Sequence, residues 1–113
     1  MSCIFCKIAT GEIPATPVLE TENVLAFHDL NPQAPVHVLV IPRRHVESLG
    51  AAVDGDGALL GELLLACRDV AAKCGIAAGG YRVVLNTGAN GGQTVGHLHA
   101  HVLGGRHMSW PPG

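Results

Sequence analysis

The stretch His97-Leu98-His99-Ala100-His101-Val102-Leu103 alternates imidazole and apolar side chains without interruption. Successive side chains of a strand point to opposite faces, so the pattern predicts a strand with three histidines on one face and a hydrophobic core on the other. A single histidine in an apolar run is commonly a satisfied core residue. Three adjacent imidazoles are hard for a core to satisfy, whereas groups that titrate near neutrality suit proton transfer or attack on phosphorus. The stretch therefore predicts a catalytic site.

A glycine-rich segment, residues 88–96, comes immediately before the histidine stretch. It holds four glycines together with the amide side chains of Asn90 and Gln93. Backbone N–H groups beside glycine can approach an anion closely, because no Cβ stands in the way. The segment matches neither the phosphate loop that ends in Gly-Lys-Ser/Thr nor the dinucleotide pattern Gly-x-Gly-x-x-Gly. Since the histidines follow directly, it predicts a phosphate-binding loop beside a nucleophile.

Length and composition predict one domain, residues 1–113, that acts on a small ligand. The 113 residues are 48% hydrophobic and 14% charged, with a formal net charge of −2. Such a charge provides no basic field for a nucleic-acid backbone, so nucleic acid is not an expected partner. The first residues lack the pattern of a secretory signal, and no run reaches the roughly 18 apolar residues that a membrane span needs. We therefore expect a cytoplasmic protein without a membrane partner.

The four cysteines fall into two pairs with different expected roles. Cys67 and Cys74 lie seven residues apart on the apolar side of a predicted helix, where reduced cysteine packs as a small hydrophobe. Cys3 and Cys6 form a Cys-x-x-Cys pair. In a reducing compartment such a pair indicates half of a zinc site or a redox pair rather than a structural disulfide.

The rest of the pattern combines short β-prone runs with one long amphipathic helix. Apolar residues recur at three- and four-residue spacing over residues 58–74, which predicts a helix with Asp56 as N-cap and Gly75 as its stop. Further strands are expected at residues 18–20, 24–28, 36–41 and 81–86, the third being an inner strand that ends at Pro42. Residues 3–8 are predicted to form a helical turn or knuckle, and residues 43–48 a short helix that carries His45. This order predicts an α+β domain with one antiparallel sheet and the long helix on one face.

The residues alone support nucleophilic catalysis at phosphorus. His99 would attack phosphorus in line and form a nucleotidyl-histidine that water then hydrolyses. His101 would donate to the phosphate or the leaving group, and His37 would relay protons behind it. Amides of the glycine-rich segment, with Gln93 and Thr94, would hold the phosphate oxygens. This scheme requires no metal.

The histidine stretch resembles the signature of the histidine triad (HIT) family, in which histidines alternate with apolar residues and two apolar residues follow. Similar segments run through essentially the whole chain, and the resemblance is closest to the nucleotide-binding phosphoramidase branch. It implies a HIT-like α+β fold with about five antiparallel strands, one long and one short helix, and a homodimer whose two sheets are continuous. The segments that carry it, besides the histidines, are Phe27-His28-Asp29, residues 37–42, Asn86, Gly91-Gly92-Gln93 and Trp110-Pro111-Pro112-Gly113.

The resemblance also implies roles for individual residues. The family's nucleophile corresponds to His99, and the acidic residue that binds the ribose hydroxyls corresponds to Asp29. Trp110 would lie near the leaving-group side of the partner subunit's site. Thr94 stands where close relatives carry serine, and its extra methyl stiffens the side chain, which bears on leaving-group preference rather than mechanism. The candidate catalytic histidines are His37, His97, His99 and His101; the base-wall residues are Ile4, Phe5, Ile8, Phe27 and Leu30; the phosphate and leaving-group residues are Asn86, Gly92, Gln93, Thr94, His99 and His101.

A structural metal site is implied in the same way. Some relatives complete the Cys-x-x-Cys pair with a histidine after the Ile-Pro strand and with the first histidine of the triplet, which correspond to His45 and His97. Zinc takes four ligands in a tetrahedron, so Cys3, Cys6, His45 and His97 would hold structural zinc. The alternative is a pair of free buried thiols.

We therefore expect a purine-nucleotide-binding hydrolase that cleaves the P–N bond of adenosine or guanosine 5′-phosphoramidates. A neighbouring hypothesis is hydrolysis of dinucleoside polyphosphates or of an adenylylated lysine. The hypothesis from a different class is a regulatory protein that holds a nucleotide or zinc without turnover. Turnover of an adenosine phosphoramidate in the presence of EDTA would separate an enzyme from a binding protein.

Overall fold

The computed structural model describes residues 3–113, which form two helices and five strands around one antiparallel sheet. The order across the sheet is β1-β2-β3-β5-β4, and every neighbouring pair is antiparallel. The predicted α+β class with about five strands is confirmed. Neither helix of the described residues has the length and apolar composition to cross a membrane. The elements are α1 (Ile4–Ala9), β1 (Pro17–Glu20), β2 (Val24–His28), β3 (Val36–Pro42), a 3-10 turn (Asp54–Asp56), α2 (Gly57–Lys73), β4 (Tyr81–Leu85) and β5 (Ala100–Gly104).

The two faces of the sheet have separate hydrophobic cores. α2 covers one face, where its Leu63, Cys67 and Val70 pack against inward-facing strand residues such as Val38 and Val102. α1 lies over the opposite face, where a smaller cluster gathers Phe5, Leu25, Phe27, Leu39 and Ile41. Alternate residues of β3 therefore serve different cores, because successive side chains of a strand point to opposite faces. The candidate catalytic histidines His99 and His101 lie on the α1 face.

α2 begins and ends within one residue of the prediction. Gly75 has a φ of +76°, the left-handed conformation in which glycine ends a helix. Asp56 occupies the N-cap position, but its carboxylate accepts hydrogen bonds from Val53 N at 2.9 Å and from Arg44 at 2.5 Å and does not cap the helix. Cys67 is buried and Cys74 packs half-buried against the same core, as predicted. The apolar spacing over residues 58–74 also predicts a buried Leu64, which is instead 51% exposed.

The prediction of a short helix at residues 43–48 is wrong. The segment is irregular, and its carbonyls pair with a distant part of the chain: Val46 O accepts from Leu98 N at 2.6 Å and Glu47 O from the Gln93 side chain at 2.8 Å. The segment is therefore fixed by pairing with the residues before β5 and not by hydrogen bonds of its own. His45 is consequently held on an irregular segment next to the histidine stretch.

The histidine stretch keeps its alternation but enters the sheet later than predicted. β5 begins at Ala100, opposite Leu85 at the end of β4, so His97 and His99 precede the strand. Leu98, Ala100 and Val102 still pack into the core beneath α2. The stretch therefore separates core residues from imidazoles as an extended chain, only part of which is a strand.

Candidate functional site

Pairing of β3 with β5 brings His37 and His101 together. Leu39 lies opposite His101 and His37 opposite Leu103, so the two histidines are diagonal neighbours on the same face. The Nε2 atom of His37 is 2.9 Å from Nδ1 of His101, and Nε2 of His37 is 3.4 Å from Oδ2 of Asp29. We call Asp29, His37, His99 and His101 the histidine cluster.

The hydrogen-bond partners of these rings determine where their protons reside. Gln33 N donates to Nδ1 of His37 at 3.0 Å, so a neutral His37 carries its proton on Nε2. That Nε2–H is directed at Nδ1 of His101, which must accept it, and His101 therefore carries its own proton on Nε2. The arrangement is a directed chain of donors that ends at Nε2 of His101, a residue that lines the cavity described below.

His99 has the opposite polarity. Its Nδ1 lies 2.7 Å from the carbonyl oxygen of His97, and because a carbonyl only accepts, Nδ1 carries the proton. The Nε2 lone pair is left for an electrophile. The edge of Phe5 packs against the His99 ring at a centroid distance of 5.1 Å, which fixes the ring from the α1 side.

Burial keeps the histidine pair neutral. Burial, with smaller contributions from the nearby His99 and His37, lowers the pKa of His101 to about 4, while Asp29 acts in the opposite direction. Burial also lowers the pKa of His37, again against the effect of Asp29. Both rings are therefore uncharged at neutral pH, which is the state that the tautomer assignment above requires.

A cavity of about 550 Å³ opens in front of His99 and His101. All five of the base-wall residues predicted from the resemblance line it, and so do Asp29 and Thr94. Its volume lies within the usual range for a small-molecule site. Residues 13–16 also line the cavity and were not predicted, since their only local signal is that Pro14 and Pro17 keep the chain extended. The lining consists of Ile4, Phe5, Ile8, Ile13, Pro14, Ala15, Thr16, Phe27, His28, Asp29, Leu30, Leu39, Thr94, Val95, His99 and His101.

Two backbone amides of the glycine-rich segment are engaged in hydrogen bonds within the segment. Gly92 N and Gln93 N donate within the segment, to Ala89 O and Gly88 O at 3.1 Å each. The Gln93 side chain also holds the segment together, since it donates to Val95 O and accepts from Gly88 N. Gly92, Gln93 and Asn86 lie outside the lining of this cavity, and their phosphate contacts stay a prediction.

A second group, Cys3, Cys6, His45 and His97, gathers at the amino-terminal end of α1, and we call it the Cys–His cluster. One ligand atom from each lies within 4.8 Å of all the others. Tetrahedral zinc with Zn–N near 2.05 Å and Zn–S near 2.3 Å would need about 3.3–3.8 Å between ligand atoms. The observed distances are 3.2 Å between the two histidine Nδ1 atoms, 3.3 Å from Cys3 Sγ to His97 Nδ1, and 3.3 Å from Cys6 Sγ to His45 Nδ1.

The tautomers of the Cys–His cluster fit a metal. Nε2 of His97 donates to the Pro42 carbonyl at 2.9 Å, which leaves the Nδ1 lone pair directed at the two sulfurs. Nε2 of His45 faces the Glu47 carboxylate at 3.7 Å. An acceptor behind the ring is the usual outer partner of a metal-binding histidine. The residues that the resemblance named are thus brought together with the donor atoms that zinc prefers.

Trp110 lies apart from both clusters and is 81% exposed. The tail that carries it is tied back by Arg82, whose Nη2 donates to Ser109 O at 2.9 Å. Nothing in the described part of the chain buries the indole ring.

Residues 10–108 match the model of the HIT domain. An uncharacterised HIT-like protein of Synechocystis sp. is 57% identical over 110 residues, which make up 97% of this chain and 96% of that protein. The 14 kDa zinc-binding protein of Zea mays is 50% identical over 112 residues, covering 97% of this chain and 87% of that protein. These similarities extend over almost the whole chain.

Solved structures agree with the sequence comparison. A HIT family hydrolase from Legionella pneumophila has a TM-score of 0.96 at 50% identity, covering 99% of this chain and all (100%) of that chain. A hypothetical histidine triad nucleotide-binding protein from Sulfolobus tokodaii has a TM-score of 0.77 at 32% identity, covering 90% and 68%. The expected HIT-like fold is confirmed, and this chain belongs to the HIT family.

Proposed function

We propose that the chain is a nucleotide-binding hydrolase that cleaves the P–N bond of purine nucleoside 5′-phosphoramidates, with His99 as the nucleophile. The observation that carries the proposal is the hydrogen bond from His99 Nδ1 to the His97 carbonyl, because it leaves Nε2 unprotonated for attack. His99 lines the cavity beside His101, so a nucleophile and a hydrogen-bond donor meet at the same place.

The cavity suits a single purine nucleotide. Ile4, Phe5, Ile8, Phe27 and Leu30 offer apolar surface rather than hydrogen bonds, so the base would be held by packing. Asp29, at the same cavity, would accept hydrogen bonds from the ribose hydroxyls. Oδ1 of Asp29 already accepts a hydrogen bond from Asn31 N at 2.8 Å, and this bond orients the carboxylate.

The proposed reaction has two displacements at phosphorus. An anion in the cavity favours protonation of the His37–His101 pair, so the pair takes up a proton as the substrate binds. In the first step the His99 Nε2–P bond forms, the P–N bond breaks, and the amine departs with the proton from His101. In the second step water attacks phosphorus and gives a proton back to the pair, and the P–Nε2 bond breaks to release the nucleotide.

We propose that the Cys–His cluster holds structural zinc. The zinc-binding relative supports this role, as do the four converging ligand atoms and the acceptors behind both rings. Cys3, Cys6, His45 and His97 would fill all four positions, so no site remains for substrate. Bound zinc would contribute folding free energy and fix α1, which carries the cavity residues Ile4, Phe5 and Ile8.

We also propose a homodimer, in which Trp110 of one subunit approaches the site of the other. β4 forms an edge of the sheet, and an unprotected edge strand is a template for pairing with a second chain. Leu64 and Leu65 on α2 are 51% and 52% exposed, and Trp110 is 81% exposed, which leaves large apolar side chains without burial in one subunit. Sedimentation at micromolar concentration should show a dimer; a monomer would contradict this proposal.

The function is tested with adenosine 5′-phosphoramidate, a dinucleoside polyphosphate and an adenylylated lysine, each incubated briefly with and without EDTA. We expect the phosphoramidate to turn over fastest and EDTA to leave the rate unchanged, because no metal takes part in the chemistry. AMP binding without turnover of any substrate would favour the non-catalytic alternative. Faster cleavage of either other substrate would replace the phosphoramidase proposal with that activity.

A further inference from the structure

The turn that follows β5 contacts the loop between β2 and β3, residues 29–35, through Arg106. The Arg106 guanidinium donates to the carbonyl of Gln33 from Nε at 3.3 Å and from Nη2 at 3.0 Å, and from Nη1 to His107 O at 3.1 Å. Two donors of a rigid planar group on one carbonyl define its position better than one flexible ammonium would.

The same residue, Gln33, sets the tautomer of His37. Its backbone N–H donates to Nδ1 of His37 at 3.0 Å, while its backbone carbonyl is the acceptor for Arg106. Because an N–H only donates, this contact keeps the His37 proton on Nε2, where it is directed at His101. Arg106 is therefore connected to the catalytic donor through Gln33 and His37.

A second contact brings the turn and the loop together. Gly105 has a φ of +88°, and a Cβ at this position would lie only 2.8 Å from Cβ of Pro35. Two other hydrogen bonds of the loop are local, from Asn31 N to Asp29 and from the Gln33 side chain to Asn31 O. Asp29 N also donates to His37 O at 3.0 Å, so the pairing of β2 with β3 fixes the ends of the loop. The contact with the turn holds its middle, where Gln33 lies.

We propose that Arg106 is a positioning residue for the proposed reaction: it holds Gln33 so that the Gln33 amide keeps His37 in the tautomer that donates to His101. This role rests on the proposed function for its catalytic consequence, but not for its structural one. Without Arg106 the Gln33 amide would leave His37, and His37 could carry its proton on Nδ1. His101 would then lose its donor and would no longer be obliged to present a proton from Nε2.

Histidine nitrogen shifts measure this proposal directly. We would record ¹⁵N spectra of histidine-labelled wild type and of Arg106→Ala, Arg106→Lys and Arg68→Ala at neutral pH. Arg68 is an exposed arginine of α2 that pairs with Asp69, so its variant controls for the loss of charge. We expect a single Nε2–H tautomer of His37 in wild type and Arg68→Ala, mixed tautomers in Arg106→Ala, and an intermediate spectrum in Arg106→Lys. Unchanged His37 shifts in Arg106→Ala would overturn the proposal.

Turnover and binding supply a second measurement. Arg106→Ala should lower kcat for the phosphoramidate about tenfold, part of the contribution that acid–base catalysis makes, while AMP affinity stays within about threefold. Arg106→Lys should recover part of the loss. Equal losses of kcat and AMP affinity would show that Arg106 merely supports the loop and would contradict the role. If wild type shows no turnover, the proposed function fails, while the tautomer experiment still decides the role of Arg106.

Discussion

The Cys–His cluster and the histidine cluster each bring two imidazoles into contact, but the hydrogen bonds behind His97 and His37 run in opposite directions. His45 and His97 approach to 3.2 Å and His37 and His101 to 2.9 Å. Nε2 of His97 donates to the Pro42 carbonyl, so Nδ1 of His97 has a free lone pair. Nδ1 of His37 accepts from the Gln33 N–H, so Nε2 of His37 carries the proton. An acceptor behind the ring leaves a lone pair on the opposite nitrogen, for a metal at His97 or for an electrophile at His99, whereas a donor behind the ring makes His37 a proton carrier.

This difference in hydrogen-bond partners also explains why the histidine cluster is a poor metal site. Asp29, His37 and His101 place potential ligand atoms within 4.8 Å of one another, as the Cys–His cluster does. Metal at Nε2 of His37 would move the proton to Nδ1, where it would face the Gln33 N–H. Hydrogen-bond polarity, rather than residue type alone, thus supports the proposals of zinc at the Cys–His cluster and of proton transfer at the His37–His101 pair.

Removing the proposed nucleophile should have the largest effect on turnover of any change in either cluster. His99→Gly should lower phosphoramidate turnover by about a thousandfold or more, because the covalent step is lost. AMP affinity, measured by titration calorimetry, should largely survive, since Asp29 and the apolar walls remain. His107→Ala, which removes an exposed histidine outside the cavity, is the control and should keep wild-type turnover. A His99→Gly rate above about a tenth of wild type would contradict covalent catalysis.

Deleting the thiols should affect stability and metal content first. Wild type purified without chelator should carry one zinc per chain, and Cys3→Ser/Cys6→Ser none, with a melting temperature lower by about 10 °C or more. Cys74→Ser, which changes a half-buried thiol outside the cluster, should retain the zinc. Equal zinc content in wild type and the double variant, measured by elemental analysis, would break the assignment of metal to this cluster.

Acid should destabilise the histidine cluster. The folded-state pKa of His101 is lowered to about 4 from an unfolded value near 6.5, so its contribution to stability is present above pH 6.5 and lost as the pH falls toward 4. Since His101 is partly exposed, we discount the shift and expect its share of the loss between pH 7 and pH 5 to be about 1–2 kcal/mol. Urea unfolding should show a smaller loss between these pH values in His101→Asn. An identical pH dependence in the variant would show that His101 is not held neutral by the fold.

The tail should have the smallest effect and should act on the leaving group alone. Deleting residues 110–113 removes the exposed Trp110 and should change relative rates across a series of amine leaving groups severalfold, because a large aromatic ring contributes packing area. AMP affinity should stay within about threefold, since none of these residues lines the cavity. An unchanged amine profile would show that Trp110 does not reach the partner subunit's site.

The sequence was sufficient for those features that depend on local alternation or spacing. The histidine stretch, the inner strand and α2 follow from periods of two and 3.6 residues. The grouping of Cys3 and Cys6 with His45 and His97 follows from the family resemblance. His45 was placed on a helix that does not exist, because its segment pairs with residues 93–98 rather than with itself. Local pattern cannot anticipate such distant backbone pairing.

Backbone contacts account for the other omissions. Gln33 donates to His37 through its main-chain N–H, a group that nearly every residue type provides. The residue type at position 33 therefore does not reveal this contact. The same holds for the His97 carbonyl that fixes the tautomer of His99. The amides of Gly92 and Gln93 were expected at the phosphate because glycine permits close approach, but the segment uses them to close its own turns.

The assignment of the free Nε2 lone pair to His99 is tested most directly by trapping the covalent intermediate. Wild type would be mixed with a phosphoramidate in excess, quenched within the first turnovers, and analysed by mass spectrometry after proteolysis under conditions that preserve phosphorus–nitrogen bonds. We predict one nucleotidyl group per modified chain, attached to His99. A nucleotidyl group on His37 or His101, or turnover with no adduct on any histidine, would contradict the account.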